Sequence, residues 1–160
     1  LRMEVIERMG PLGDVRLVLN EASVRTAAQR LKDAGVEAVA ICLLHSYANP
    51  DHERRVKEIV LDVFGNDVFV TCSFEILPEI REYERTSTTV VNAVLLPKVG
   101  PYIERLERRI AETGLRHGLH LMTSSGGIVA SSAARPRATR SSSRRSFGVV
   151  DILAKRLLGW

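Results

Sequence analysis

Between residues 79 and 88 the chain places carboxylates, a guanidinium and hydroxyls close together: Glu79, Glu82, Arg85, Thr86 and Thr88. Arg85 carries a fixed fork of N–H donors, which suits a carboxylate or phosphate held by two parallel hydrogen bonds. Glu82 precedes Arg85 by three residues and Thr86 by four, so all three can share one helix face. The hydroxyl run from Thr86 to Thr89 lowers helix propensity, because such side chains compete for nearby main-chain groups. A helix built only for packing would not need it. Two readings stay open. The block contacts a substrate or a partner subunit, or it forms an intrahelical salt bridge whose hydroxyls cap the helix start.

Two further groups could do chemistry. Ser124, Ser125, Gly126 and Gly127 follow a strand-like run, and glycines there let main-chain N–H groups approach an anion closely. A helix beginning near Val129 would add its dipole. The alternative is a plain turn that needs positive φ. His45 and Asn49 fall just after a long apolar run, where open α/β sheets place their ligand crevice. His52, one helix turn further on, reads as a solvated residue. With Glu53 nearby, these histidines still match no standard ligand spacing, so no metal site is expected.

The elements that must position these residues follow from periodicity. Residues 3–9 and 15–19 alternate as strands around the turn-forming Gly10, Pro11, Gly13 and Asp14, which predicts a hairpin. Asn20 is an N-cap candidate, Val24, Ala27, Ala28 and Leu31 recur at helical spacing, and Gly35 is the stop. Residues 36–44 are apolar enough for a strand covered on both faces. Pro50 opens the next helix, with Val56, Ile59, Val60 and Val63 as its stripe and Gly65 as its end. Residues 68–72 form another strand. A helix from about Arg81 should kink or break at Pro97. A second helix carries Val99, Ile103, Leu106 and Ile110, and a strand covers 119–123. This alternation predicts an α/β fold with a mixed, mostly parallel sheet and flanking helices.

Charge separates the chain into two parts. Residues 1–134 hold 16 Lys and Arg against 18 Asp and Glu, whereas residues 135–160 hold 7 against 1. The overall +4 therefore belongs to the tail, and nucleic acid is not an expected partner of the rest. No apolar run approaches a membrane span. Cys42 and Cys72 sit in apolar runs without metal or CxxC spacing and read as reduced thiols of a cytoplasmic protein.

The block from Glu75 to Ala93, the stretch Val39 to Glu53 and the stretch Leu121 to Gly127 together resemble the hydantoinase A / 5-oxoprolinase family, in its order and spacing. The resemblance implies residues 1–74 as the end of an N-terminal subdomain and 75–134 as the start of the main domain. It implies a fold similar to the sugar kinase, heat-shock 70 and actin group. It also implies a fragment of an ATP-dependent cyclic-amide hydrolase that activates a carbonyl by phosphorylation. The alternatives are a fragment of an ATP-dependent ketone carboxylase subunit, a noncatalytic scaffold or a basic-tailed binding module. ATP and Mg²⁺ serve the full-length family, with a hydantoinase B-type companion subunit or domain and a small cyclic amide as substrate. The family's Gly-Gly-Thr phosphate loops would fall outside residues 1–160, so the isolated chain is expected not to hold the nucleotide. Where the family has a Gly-Pro-Ala-type loop, this chain has the Arg- and Ser-rich residues 135–146, which read as a local change of reading frame, or as a natural basic arm. The family more often carries Asn at the position of Ser125.

Overall fold

A computed structural model describes residues 1–65, 68–114, 118–122 and 127–131. The tail at 135–160 lies outside the described residues, as do Ser124, Ser125 and Gly126.

The chain opens with the antiparallel pair β1 (Arg8–Met9) and β2 (Val15–Leu17). Both strands are shorter than the alternation predicts. Gly13, at φ +85°, seats the connecting turn against Ala48 and Asn49, where an added Cβ would meet their atoms at 3.3 Å. Helix α1 (Glu21–Asp33) starts as expected: the Asn20 side chain accepts the Ser23 N–H at 3.0 Å. It ends before Gly35, which takes φ +68°.

Strand β3 (Ala38–Ile41) pairs in parallel with β4 (Phe69–Cys72), in the register Ala38↔Phe69 to Ile41↔Cys72. Between them runs α2 (Asp51–Phe64), closed by Gly65 at φ +75°. Strand β3 is half the predicted length because the chain turns away after Cys42 to build a loop instead. In a parallel pair, partnered residues point to the same face. Val39, Ile41 and Cys72 therefore join Val24, Ala28, Val56, Ile59, Val60 and Phe64 in one apolar cluster with α1 and α2. Each fully buried aliphatic or aromatic side chain there is worth about 1.5–3 kcal/mol. The other face of the pair is covered by α4 (Glu82–Glu112), reached through the short helix α3 (Ser73–Ile76), which periodicity does not predict.

Helix α4 corrects a second expectation. It runs unbroken for 31 residues with both Pro97 and Pro101 inside it. An interior proline costs about 3 kcal/mol through its lost donor and ring clash. Buried Ala93 and Leu96 on one side of the prolines, and Gly100 and Ile103 among and beyond them, keep one face of the helix in the protein. Tertiary burial thus outweighs the local penalty. Beyond α4, β5 (His120–Met122) pairs antiparallel with β6 (Ile128–Ala130). Val129 and Ala130 therefore belong to a strand rather than to the expected helix start. Among the described residues the sheets are three two-stranded pairs, one parallel and two antiparallel, so the mixed α/β class holds.

Candidate functional site at the carboxyl ends of β3 and β4

Past the carboxyl end of β3 the chain enters the loop 42–49, and past β4 it enters α3. Polar groups converge there. Glu53, the third residue of α2, is fully buried. Its Oε1 accepts the Leu43 N–H at 2.7 Å and the Ser73 hydroxyl at 2.6 Å, and its Oε2 accepts the Phe74 N–H at 3.1 Å. The Ser46 and Ser73 hydroxyls lie 3.0 Å apart. Burial pushes the Glu53 carboxyl above its ordinary range, while hydrogen bonds from Ser73, Leu43, Phe74 and Ser46 pull it back. Charge-assisted bonds of this kind contribute about 1.5–3 kcal/mol each. One carboxylate thus ties the ends of both strands to α2.

Arg85, in the first turn of α4, is its counterpart at 1% exposure. Its Nη2 donates to the Leu43 carbonyl at 2.8 Å, and its Nη1 reaches the Glu79 carbonyl at a long 3.5 Å. The guanidinium lies 5.7 Å from the Tyr47 ring centroid. Nε is buried without a partner. Among the described residues Arg85 is in no ion pair, so a Glu82–Arg85 bridge, one of the two open readings, does not form; Arg81 and Glu84 approach to 3.8 Å instead. Leu43 is therefore held from both sides, its N–H by a buried anion and its C=O by a buried cation.

His45 lies two residues further along this loop. It is half-buried and takes φ +59°, a left-handed conformation costing about 1–2 kcal/mol for a residue with a Cβ. Its Nδ1 is 3.3 Å from the Tyr47 hydroxyl, and the two rings meet edge-on with centroids 5.9 Å apart. Below, on the α4 face of the sheet, the Cys42 thiol meets the hydroxyls of Thr86 and Thr89. Burial first, then the nearby Glu53 charge, pushes that thiol up, so it is protonated at neutral pH and a poor nucleophile. Thr89 also donates to the Arg85 carbonyl at 2.7 Å. Asn92 offers its Nδ2 to the Thr71 hydroxyl at 3.4 Å, and its Oδ1 is buried without a partner.

The structure brings His45 and Arg85 together against Tyr47, with the Glu79 main chain beside Arg85 and Thr86 next to it on α4. The Glu79 side chain is exposed, and Glu82 and Thr88 are half-buried on α4. Asn49 is used structurally: its Nδ2 donates to the Gly13 carbonyl at 3.0 Å and its Oδ1 accepts the Asp51 N–H at 3.0 Å. His52 is not solvated but lies 2.7 Å from Glu7, pinning the N-terminal segment to α2. Gly127 is exposed and immediately precedes β6. Sequence reasoning missed Glu53 and Ser73. A signal for Glu53 existed: it stands three and seven residues before Val56 and Val60, on the apolar stripe of α2.

The first turns of α1, α2 and α4 carry Glu21, Asp51 with Glu53, and Glu82 with Glu84, which repel an anion where a helix dipole would otherwise attract it. The N–H groups of Leu43 and Phe74 are already taken by Glu53. Among the described residues no group of three His, Cys, Asp or Glu could hold a metal ion, and no helix is long and apolar enough to cross a membrane.

Residues 1–64 match the family described as the hydantoinase/oxoprolinase N-terminal region, and residues 85–149 match the family described as hydantoinase/oxoprolinase. The chain is 42% identical over 120 residues to caprolactamase subunit alpha of Pseudomonas jessenii, covering 75% of this chain and 17% of that protein. It is 32% identical over 128 residues to the acetone carboxylase beta subunit of Xanthobacter autotrophicus, covering 78% and 18%. The crystal structure of the ATP-dependent caprolactamase from Pseudomonas jessenii superposes with a TM-score of 0.73 at 33% identity, covering 97% of this chain and 23% of that one. The chain thus spans less than a fifth of the length of these curated relatives.

Proposed function

This chain belongs to the hydantoinase/oxoprolinase family, and from that premise we propose that it is a piece of a longer ATP-dependent enzyme that opens a cyclic amide. The 42% identity to caprolactamase subunit alpha, a lactam-directed relative by name, is the observation that carries this reading. The chemistry needs activation because an amide carbonyl is a weak electrophile. Transfer of the γ-phosphoryl of ATP to the carbonyl oxygen leaves ADP and turns that oxygen into a phosphate ester. Water then adds to the carbon, the C–N bond breaks to give an amine and an acyl phosphate, and a second water hydrolyses the acyl phosphate to carboxylate and inorganic phosphate.

Within that enzyme the described residues supply recognition rather than nucleotide grip. We assign residues 1–74 to the end of an N-terminal subdomain and 75–134 to the start of the main domain. His45, Glu79, Glu82, Thr86 and Thr88 form the face toward the substrate or a companion subunit, with Asn49 and the buried Arg85 bracing it from within. Ser124, Ser125, Gly126 and Gly127 are assigned to phosphate contact. ATP and Mg²⁺ bind mainly through residues outside this chain. A B-type companion completes the enzyme, as the subunit names of the relatives suggest. The two free thiols suit a cytoplasmic setting.

A second reading rests on the acetone carboxylase match: the activated carbonyl is a ketone, and bicarbonate takes the place of water. The two separate in one assay. ADP release is followed for the complete enzyme with its companion, given caprolactam, 5-oxoproline, hydantoin, or acetone with bicarbonate. A cyclic amide is expected to stimulate release at least about tenfold over basal. Stimulation by the ketone with bicarbonate alone would replace the hydrolase reading with the carboxylase one, and stimulation by neither would remove both.

A further inference from the structure

We propose that Glu53 and Arg85 are positioning residues that grip the main chain of Leu43 and so hold His45 in its left-handed conformation at the edge of the site. The proposal rests on the reading of this edge as the substrate side.

The grip is two-sided. Glu53 Oε1 takes the Leu43 N–H at 2.7 Å, and Arg85 Nη2 donates to the Leu43 C=O at 2.8 Å. Both side chains are at 1% exposure or less, so water does not compete for either bond. The two residues come from different elements, α2 and α4, which cover opposite faces of the β3–β4 pair. Two residues beyond Leu43, His45 stands at φ +59°, a conformation that persists only where the surroundings over-determine it. Tyr47 extends the support, lying over the Arg85 guanidinium at 5.7 Å while its hydroxyl sits 3.3 Å from His45 Nδ1. Stability alone does not explain Arg85. A desolvated cation bonded to main-chain carbonyls, with Nε unpartnered and no carboxylate in reach among the described residues, is a costly way to fill space. It makes sense if the place of the loop matters more than the stability of the fold.

The test uses the complete enzyme with its companion subunit and compares Arg85→Met and Arg85→Lys with wild type, activity being normalised to the folded fraction. Amide hydrogen exchange at residues 44–47 is read without substrate, and kcat and KM for the preferred carbonyl substrate are read with saturating Mg·ATP. Release of Leu43 by Arg85→Met is expected to speed exchange of the loop at least about tenfold and to raise KM about tenfold, with kcat changed less than about threefold. Arg85→Lys keeps a donor for the Leu43 carbonyl and is expected to recover part of both losses. Wild-type exchange in Arg85→Met overturns the grip. Faster exchange with unchanged KM overturns the positioning role. Should Arg85→Met fail to fold, Arg85→Lys decides alone: faster loop exchange with a raised KM supports the proposal, and wild-type values for both sink it. If the wild-type enzyme turns over neither cyclic amide nor ketone, the functional reading fails, while the exchange comparison still decides the grip.

Discussion

On one face of the β3–β4 pair, Val39, Ile41 and Cys72 meet Val24, Ala28, Val56 and Ile59; on the other, Thr71 and Cys42 meet Thr86, Thr89 and Asn92 of α4, with Arg85 at the carboxyl end. The first face is dry and close-packed, and its worth scales with apolar area removed from water. The second exchanges hydrogen bonds with water for hydrogen bonds within the protein, which nets only about 0.5–1.5 kcal/mol each. It also leaves Arg85 Nε and Asn92 Oδ1 buried without partners. The same two strands therefore serve two purposes. One face makes the fold stable, and the other carries polar groups that stability alone would replace.

The comparison predicts unequal responses to substitution. Ile59→Ala, on the dry face at 1% exposure, should lower unfolding stability by about 2–5 kcal/mol through lost burial and the cavity left behind. Urea denaturation checks this, and a loss below about 1 kcal/mol would mean the dry face is not the main source of stability. The double change Thr71→Val with Asn92→Leu removes a long hydrogen bond and an orphaned acceptor together. It should change stability by less than about 1 kcal/mol, with any change in the stabilising direction. A loss of about 3 kcal/mol in the same denaturation experiment would erase the contrast between the faces.

Smaller effects come from titration. Burial sets the folded-state pKa of Glu53 above its unfolded value, so the native state binds the proton first as pH falls. Relative to Glu53→Gln, wild type should gain stability as pH drops from neutral through that folded pKa toward the ordinary carboxylate range, then level off. Urea midpoints taken across that range for both proteins test the sign, and a wild-type loss over the same window contradicts it. Glu21 has the opposite direction, its carboxyl held low by the Arg55 guanidinium 2.7 Å away, but the pair is open to water. Glu21→Gln should leave the urea midpoint indistinguishable from wild type, because solvent screens such pairs. A resolvable drop would show that the surface contributes more than this picture allows.

Much of the scaffold was legible where a local signal sufficed. Asn20 capping α1, the stops at Gly35 and Gly65, Pro50 at the start of α2 and the apolar stripe of α2 each depend on a few neighbouring residues. Contacts that join distant segments were not legible. His52 looked solvated because Glu7 lies 45 residues away. Pro97 looked like a breaker because the sheet that keeps α4 whole is invisible to local propensity. In the site, Arg85 stood out by composition, and the resemblance of its block to the hydantoinase A / 5-oxoprolinase family pointed the same way. Its burial against Leu43 did not show, because that requires β3, α2 and α4 to be assembled first. Glu53 was overlooked as a lone carboxylate near two histidines, when its place on the apolar stripe marked it as buried.

The most direct measurement is isothermal titration calorimetry of Mg·ATP into the isolated 160-residue chain. If these residues recognise the carbonyl side of the reaction while the nucleotide is gripped elsewhere, the titration gives no saturable heat. Stoichiometric uptake of Mg·ATP by this chain alone would contradict that division.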